Sequence, residues 1–285
     1  MSSLLLTGAA GFTGRHFSAV ARQAGYRVHA LASDLENAKS VETEIAGVSP
    51  DYVVHLAAIS AVTHRDVEAL YRVNLFGTMN VLNALVALPH PPKNILLVSS
   101  ANVYGNASQS PIEESACPAP VNHYAISKLA MEHMSATYSD RLPFVIVRPF
   151  NYTGVGHDER FVIPKIVKHF ARHAPSIELG NLGIEREFND VRAVCEIYLR
   201  LLKLGKPGQL YNVCSGQAIS LTTVIETLER ITGHELQVSV NQRFVRANEI
   251  HRLCGSPANL ESCIGRVRHP TLEETLRWML SAEVV

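Results

Sequence analysis

Residues 4–14 read Leu4-Leu5-Leu6-Thr7-Gly8-Ala9-Ala10-Gly11-Phe12-Thr13-Gly14, an apolar run followed by a glycine-rich loop. The run predicts a short buried strand, and the residues after the loop predict a helix over 15–24. Glycines at this spacing allow a tight turn and a close approach of the backbone to a phosphate, while the helix start offers free N–H groups. The alternative is an ordinary glycine-rich turn, but the flanking strand and helix favour a dinucleotide-binding loop.

Further apolar runs extend this pattern along the N-terminal half. They predict strands over residues 27–32, 51–56, 94–99 and 144–148, separated by helical stretches. Buried strands alternating with helices predict an α/β fold with a doubly wound parallel sheet of the Rossmann type. After Pro149 the chain is less regular and predicts a smaller α/β substrate-binding lobe. We therefore expect a dinucleotide-binding domain over 1–155, with 191–213 returning to it, and a substrate lobe from 156–190 and 214–285.

Composition narrows the class of protein. The chain has 285 residues, with 26 Lys plus Arg balanced by 26 Asp plus Glu, so nucleic acid is not expected as a partner. No apolar run reaches membrane-spanning length, and the N-terminus lacks the basic region of a signal peptide. The five cysteines are scattered and predict neither a disulfide framework nor a metal site. These features predict a cytoplasmic protein with reduced thiols and no metal.

A second motif predicts proton-transfer chemistry. Ser100 follows the fourth predicted strand, and Tyr124 and Lys128 lie four residues apart in the next predicted helix, on one face. An ammonium beside a phenol favours the phenolate, so we expect Lys128 to lower the pKa of Tyr124. Such a tyrosine can exchange a proton with a substrate oxygen, and a serine hydroxyl can hydrogen-bond the same oxygen. Tyr-x-x-x-Lys alone is usually a solvated helix pair, but here it occurs with Ser100 and the glycine loop.

The order of these motifs resembles the extended short-chain dehydrogenase/reductases that act on nucleotide sugars. The resemblance covers nearly the whole chain and includes His55-Leu56-Ala57-Ala58, Asn74-Leu75-Phe76-Gly77-Thr78, Arg148-Pro149-Phe150-Asn151 and Tyr211-Asn212-Val213. It implies that Ser100, Tyr124 and Lys128 are catalytic, with Lys128 also on the cofactor ribose. It further implies a cofactor site formed by Gly8, Gly11, Phe12, Thr13, Gly14, Arg15, Asp34, Leu35, Leu56, Ala57, Ala58, Asn74, Tyr124 and Lys128.

One departure from the family bears on the reaction. The 4,6-dehydratases of this family carry acidic residues just after the catalytic Ser or Thr, whereas this chain has Ala101 and Asn102. Neither side chain can act as a carboxyl acid or base. A dehydratase is therefore disfavoured, and hydride transfer as a reductase or a 4-epimerase remains.

The C-terminal half resembles the GDP-hexose branch of the family. Gly180-Asn181-Leu182, the Arg186–Arg192 stretch and Arg246-Ala247-Asn248-Glu249 are similar to stretches of that branch, although a Pro is missing after Arg246. The resemblance implies that Ser100, Asn102, Asn151, Arg186, Arg246 and Glu249 bind the nucleotide sugar. Arginine suits bidentate phosphate contacts and glutamate accepts from ribose hydroxyls. The implied reaction is reduction of the C4 keto group of a GDP-4-keto-6-deoxyhexose, giving a GDP-6-deoxyhexose such as GDP-D-rhamnose.

Cofactor choice depends on the end of the second strand. NAD-specific folds place an acid there for the adenosine 2′-hydroxyl. Here the strand ends Ala30-Leu31-Ala32-Ser33, and Arg15 could supply positive charge, so NADPH is favoured. Asp34 keeps NADH as the alternative. The segment 34–50 is too short for the usual strand plus helix, so Asp34 and Leu35 could instead border adenine.

Three hypotheses remain: the GDP-keto-sugar reductase, an NAD-dependent nucleotide-sugar 4-epimerase, and a redox-sensing binding module without catalysis. The presence of Ser100, Tyr124 and Lys128 disfavours the last. In related enzymes two long helices, here predicted over 67–88 and 124–138, form a four-helix bundle, so the resemblance also implies a homodimer.

Overall fold

The elements predicted in the N-terminal half all form. The computed structural model describes residues 1–60, 66–245 and 249–283. Its strands are β1 (Ser3–Thr7), β2 (Arg27–Ala30), β3 (Tyr52–His55), β4 (Asn94–Val98), β5 (Phe144–Pro149), β6 (Tyr152–Thr153), β7 (Ser176–Leu179), β8 (Glu185–Arg186), β9 (Asn189–Asp190), β10 (Leu210–Val213), β11 (Ile219–Ser220), β12 (Gln237–Val240) and β13 (Arg252–Leu253). Its α-helices are α1 (Phe12–Gln23), α2 (Ala38–Val48), α3 (Val67–Tyr71), α4 (Thr78–Val86), α5 (His123–Ala136), α6 (Val162–Ala171), α7 (Val191–Leu204), α8 (Leu221–Thr232), α9 (Ala258–Ile264) and α10 (Leu272–Glu283).

The main sheet has six strands in the order β10-β5-β4-β3-β1-β2, and every neighbouring pair is parallel. This confirms the doubly wound fold. Only α2 lies between β2 and β3, as the short 34–50 segment predicted. The order reverses between β1 and β3, because β2 lies on one side of β1 and the later strands lie on the other. A crevice at the carboxyl ends of β1 and β3 is where such folds bind ligands.

Successive side chains of β1 point to opposite faces of the main sheet, so the strand packs against helices on both sides. Leu4 and Leu6 pack in a core with α1 and α7, whereas Leu5 packs in a second core with α2 and α4. Both faces of the strand are therefore buried, which accounts for its continuous apolar sequence.

The later part of the chain builds a separate apolar cluster from α6, α8, α10 and β7. The 191–213 segment, by contrast, contributes α7 to the first core and β10 to the main sheet. The division of the chain into two lobes with boundaries at 155, 190 and 213 stays a prediction. No helix within the described residues is both long and apolar enough to cross a membrane.

Several boundaries differ from the sequence prediction. Helix α1 begins at Phe12 instead of residue 15, so the glycine loop runs into its first turn. The helix expected over 67–88 is interrupted by a π-helical segment, Arg72–Gly77, that joins α3 to α4. Periodicity alone cannot reveal this segment. It ends at Gly77, which packs against Leu35, where an added Cβ would lie 2.9 Å from that of Leu35.

Two buried tyrosines give a matched test of the core. In the described structure the Tyr198 hydroxyl is buried without a hydrogen-bond partner, whereas the Tyr104 hydroxyl donates to Asn212 Oδ1 at 2.8 Å. We expect Tyr198→Phe to raise the free energy of unfolding by about 1 kcal/mol, because it removes an unpaired polar atom. Tyr104→Phe should lower it by about 1–2 kcal/mol, since it leaves the Asn212 oxygen unpaired. Denaturant unfolding measures both, and destabilisation by Tyr198→Phe would contradict the first expectation.

Candidate active site

The glycine loop lies at the crevice between β1 and β3. Gly8 has a φ of +68°, and a Cβ added there would lie 2.8 Å from the backbone nitrogen of Ala57. A Cβ on Gly14 would lie 2.1 Å from the carbonyl oxygen of Gly8. Only glycine therefore permits the loop to fold back on itself and on the chain after β3.

The start of α1 is open to an anion. Gly11 caps the helix without a side-chain hydrogen bond, and the first turn carries no acidic residue. Side chains do cap α2, α5, α7 and α8, through Asn37, Asn122, Asp190 and Ser220. Unsatisfied N–H groups and the helix dipole at α1 suit a pyrophosphate. The residues present therefore fit a dinucleotide cofactor.

A buried chain of hydrogen bonds joins the two strand ends to the helices. Thr78 Oγ1 donates to the Asn74 carbonyl at 2.8 Å, so it accepts from His55 Nε2 at 2.9 Å. His55 Nδ1 then accepts from Thr7 Oγ1 at 2.8 Å, and Thr7 Oγ1 accepts from the Ala57 N–H at 3.0 Å. Burial, helped by the Lys128 charge, lowers the pKa of His55 to about 3, which keeps the ring neutral. His55 therefore has a structural role.

Asn74 extends this chain of hydrogen bonds to α5, which carries Tyr124 and Lys128. Its side chain accepts from the Ile59 N–H at 2.8 Å and donates to the Ile59 carbonyl and to Ser127 Oγ. Ser127 Oγ in turn donates to the Tyr124 carbonyl at 2.8 Å. The residues predicted to border the dinucleotide, Leu56, Ala57 and Ala58, lie in the segment between His55 and Ile59 that these bonds fix.

Ser100, Tyr124 and Lys128 come together at the carboxyl end of β4. All three are buried, and the Ser100 hydroxyl lies close enough to Tyr124 to act on its pKa. Ser100 Oγ accepts from the Asn102 N–H at 3.2 Å and from Asn102 Nδ2 at 3.1 Å. Because both lone pairs of Ser100 are then occupied, its only hydrogen is available to Tyr124. Asn102, predicted to bind substrate, thus orients the serine hydroxyl.

The pKa values correct one expectation. Burial raises the pKa of Tyr124, and the Ser100 hydrogen bond opposes this without overcoming it. Lys128 does not contribute to the shift, so the lowering expected from it is not found. Lys128 is itself desolvated, and burial lowers its pKa to about 8 against the opposing charge of Glu132. Tyr124 is accordingly a neutral phenol at pH 7, which is the form that donates a proton.

A second buried network, not predicted from the sequence, holds the other side of α5. Glu132, one turn after Lys128, forms a bidentate pair with Arg148 on β5 at 2.9 and 2.6 Å, and it accepts a short hydrogen bond from Ser99 Oγ. The Arg148 guanidinium lies 4.7 Å from the centroid of the Tyr104 ring, and Tyr104 bonds Asn212 on β10. The network therefore ties α5 to β4, β5 and β10.

The side chains after the glycine loop face the segment that follows β5. Phe12 stacks on His157 with ring centroids 4.3 Å apart, and Thr13 Oγ1 hydrogen-bonds the Tyr152 hydroxyl at 2.8 Å. The Arg15 guanidinium donates to the carbonyls of Ala10 and Gly156, at 2.8 and 3.0 Å. Their roles at the cofactor stay predictions.

The end of β2 itself carries no acid, as the sequence indicates, but an acid from another element reaches it. Glu44, on α2, places its carboxylate against Ala32 and Ser33. The signal was its position on the apolar face of α2, with Val41 and Ile45 buried beside it. Asp34 is exposed, while Leu35 is buried in the core formed with α2 and α4. Contact of these two residues with adenine stays a prediction.

The structure places the predicted substrate residues on separate segments. Asn151 is exposed just after β5, and Arg186 on β8 donates to the carbonyls of Glu185 and Ile250. The Glu249 carbonyl accepts from Asn106 Nδ2 at 3.1 Å, which joins the 249–251 segment to the loop after Ser100. Arg246 lies outside the described residues. The sequence reasoning missed Asn106, and it also missed the buried Glu187, whose carboxylate accepts from the N–H groups of Ser215 and Gly255.

Comparison with known proteins agrees with this geometry. Residues 4–214 match the NAD dependent epimerase/dehydratase family. The chain is 34% identical to GDP-6-deoxy-D-talose 4-dehydrogenase of Aggregatibacter actinomycetemcomitans, over 92% of this chain and 91% of that protein. It is 35% identical to GDP-6-deoxy-D-mannose reductase of Pseudomonas aeruginosa, over 98% and 96%. The structure of RMD from P. aeruginosa complexed with NADPH superposes with a TM-score of 0.91 at 33% identity, covering 100% of this chain and 99% of that one.

Two glycine variants separate backbone strain from cofactor binding. Gly8 and Gly25 both have positive φ, but a Cβ on Gly25 would meet nothing within 4 Å. We expect Gly8→Ala to weaken NADH and NADPH binding at least about tenfold, about 1.4 kcal/mol, because the loop must shift away from Ala57. Gly25→Ala should lower stability and leave binding unchanged. Fluorescence titration measures the affinities, and equal affinities for the two variants would count against the loop as the cofactor site.

Proposed function

The chain belongs to the NAD dependent epimerase/dehydratase family, and on that premise we propose that it reduces the C4 keto group of a GDP-4-keto-6-deoxyhexose with NAD(P)H. It is an NAD(P)-dependent nucleotide-sugar oxidoreductase. The observation that carries the proposal is the hydrogen bond from Asn102 Nδ2 to Ser100 Oγ beside a buried, protonated Tyr124. The position that would need a carboxyl group for dehydration holds an amide, so the site supports hydride transfer with one proton.

The chain's own residues supply the rest of the reaction. The α1 N-terminus would hold the pyrophosphate, and Lys128 would hydrogen-bond the nicotinamide ribose. When bound, the reduced nicotinamide supplies hydride to C4. Tyr124, held neutral by burial, donates its proton to the C4 oxygen, and Ser100 donates a hydrogen bond to that oxygen. Donors on Asn102 leave Ser100 able only to donate, which suits an oxygen that gains negative charge.

The two relatives limit what is proposed for the product. Talose and mannose differ in configuration at C4, so their 6-deoxy forms share one 4-keto sugar. We therefore propose GDP-4-keto-6-deoxymannose as the substrate. GDP-D-rhamnose, whose sugar is 6-deoxymannose, is the product proposed here, and the talose isomer is the alternative outcome.

We also propose that the protein is a cytoplasmic homodimer. Val67, Phe76 and Ile126 are exposed large apolar residues, and they lie on α3, the π-helical segment and α5, which pack together. An apolar surface on these helices supports pairing with a second copy. Five cysteines without disulfide partners support a reducing compartment.

The first test of the function is an NAD(P)H oxidation assay with freshly made GDP-4-keto-6-deoxymannose. We expect oxidation with this sugar and none with the dTDP-4-keto-6-deoxy sugar. Tyr124→Phe should lower kcat by about 10²–10⁴-fold, since it removes the proton donor, while dinucleotide affinity is retained. NMR of the product reports the C4 configuration. If a folded, dinucleotide-binding protein oxidised cofactor with neither sugar, the reductase proposal would fail and a 4-epimerase would become the better explanation.

The pH profile tests the link between Glu132 and Lys128. Lys128 carries a pKa of about 8, which the Glu132 charge holds up. If turnover needs the ammonium form, kcat/KM falls as pH rises through about 8. Glu132→Gln removes the raising charge, so we expect this fall at lower pH.

Ser99→Ala is the matched control, because it deletes a hydrogen bond to Glu132 and keeps the charge. In Ser99→Ala the fall of kcat/KM at high pH should occur at the same pH as in the wild type. Destabilisation by Glu132→Gln, which leaves Arg148 without its buried counter-ion, is recorded separately by unfolding. If kcat/KM fell at the same pH in a folded Glu132→Gln variant and in the wild type, the link between Glu132 and Lys128 would be refuted.

A further inference from the structure

A carboxylate from α2 occupies the hydrogen-bond donors that follow β2. Glu44 Oε1 accepts from the Ala32 N–H at 2.8 Å, and Oε2 accepts from the Ser33 N–H at 2.8 Å and from Ser33 Oγ at 2.5 Å. The side chain is half-buried. These hydrogen bonds lower the pKa of Glu44 against the opposing effect of desolvation, so the group is ionised at neutral pH.

The loop that follows β2, residues 31–34, lies on the cofactor side of the sheet. Strand β2 pairs in parallel with β1, with Leu6 opposite Ala30, and the Leu31 N–H donates to the Leu6 carbonyl at 2.9 Å. The residues after β2 and the glycine loop after β1 therefore leave the sheet at the same edge. In doubly wound folds the residue at the end of this strand meets the adenosine ribose of a dinucleotide.

The charges around the loop are negative. Asp34 is exposed beside Glu44's partners, and within the described residues no Lys or Arg side chain pairs with residues 31–34. Arg72, the basic residue paired with Glu36, also contacts Asp66 and Glu68. Arg15 is engaged by two carbonyl groups. The N–H groups of Ala32 and Ser33 and the Ser33 hydroxyl, which could otherwise bind a phosphate, already donate to the Glu44 carboxylate.

We propose that Glu44 is the residue that determines cofactor specificity, because its carboxylate weakens binding of the 2′-phosphate of NADPH relative to the 2′-hydroxyl of NADH. The proposal rests on the proposed function only in requiring that a dinucleotide binds. It concerns a ratio of affinities, so it holds whichever sugar is reduced.

The variant Glu44→Gln tests it, with Glu42→Gln as the matched control. Glu42 lies on the same helix but is exposed and pairs with Lys39. Fluorescence titration at low salt gives Kd for NADH and for NADPH. We expect Glu44→Gln to lower the ratio Kd(NADPH)/Kd(NADH) by about tenfold, because a like charge is removed while one amide acceptor remains. Glu42→Gln should leave the ratio unchanged. An unchanged ratio in Glu44→Gln would overturn the proposal.

The wild-type protein gives a second test that needs no variant. Salt screens charge interactions, so repulsion between Glu44 and a 2′-phosphate predicts that Kd(NADPH)/Kd(NADH) falls as salt is raised. Cations at the 2′-phosphate would make the ratio rise, which would overturn the proposal. Failure of both dinucleotides to bind would instead overturn the proposed function, so the two failures are distinguishable.

Discussion

The structure depends on one line of buried hydrogen bonds with a single consistent direction. Thr7 donates to His55, His55 to Thr78, and Thr78 to the Asn74 carbonyl, while the Asn74 side chain reaches Ser127 below Tyr124. Each group is buried, so each would destabilise the fold if left unpaired. Satisfying them all fixes the ends of β1 and β3 relative to α5. The glycine loop and α5 are thereby held in one geometry by these polar contacts.

The second network acts on α5 from the opposite side. A buried Glu132–Arg148 pair contributes little net stability by itself, because desolvation of both charges offsets their attraction. Its value lies in position, since Ser99 and Glu132 link the residue before Ser100 to the turn after Lys128. Two networks from different strands therefore fix the same helix. This explains how the three side chains proposed as catalytic, which come from two elements, are held in one place at a sheet edge.

The residues predicted from the sequence are those whose neighbours are set by local spacing. Gly8, Gly11 and Gly14 share one turn, and Tyr124 and Lys128 share one helix face, so their proximity follows from the helix and loop geometry alone. The missing strand also followed from chain length. Glu44 and His55 could not be placed this way, because their partners lie in other elements and depend on sheet register. The sign of the Tyr124 pKa shift was missed for a related reason: the spacing shows a nearby ammonium, but the depth of burial comes only from tertiary packing.

That shift bears on the direction of the chemistry. A 4-epimerase must first remove a proton from the C4 hydroxyl, which requires a tyrosinate, whereas a reductase must deliver a proton to C4 oxygen. Burial keeps Tyr124 protonated against the opposing effect of Ser100, and both hydroxyls can donate to an oxygen placed between them. A protonated Tyr124 is the form that a reductase needs. The configuration formed at C4 depends instead on which face of the sugar meets the nicotinamide.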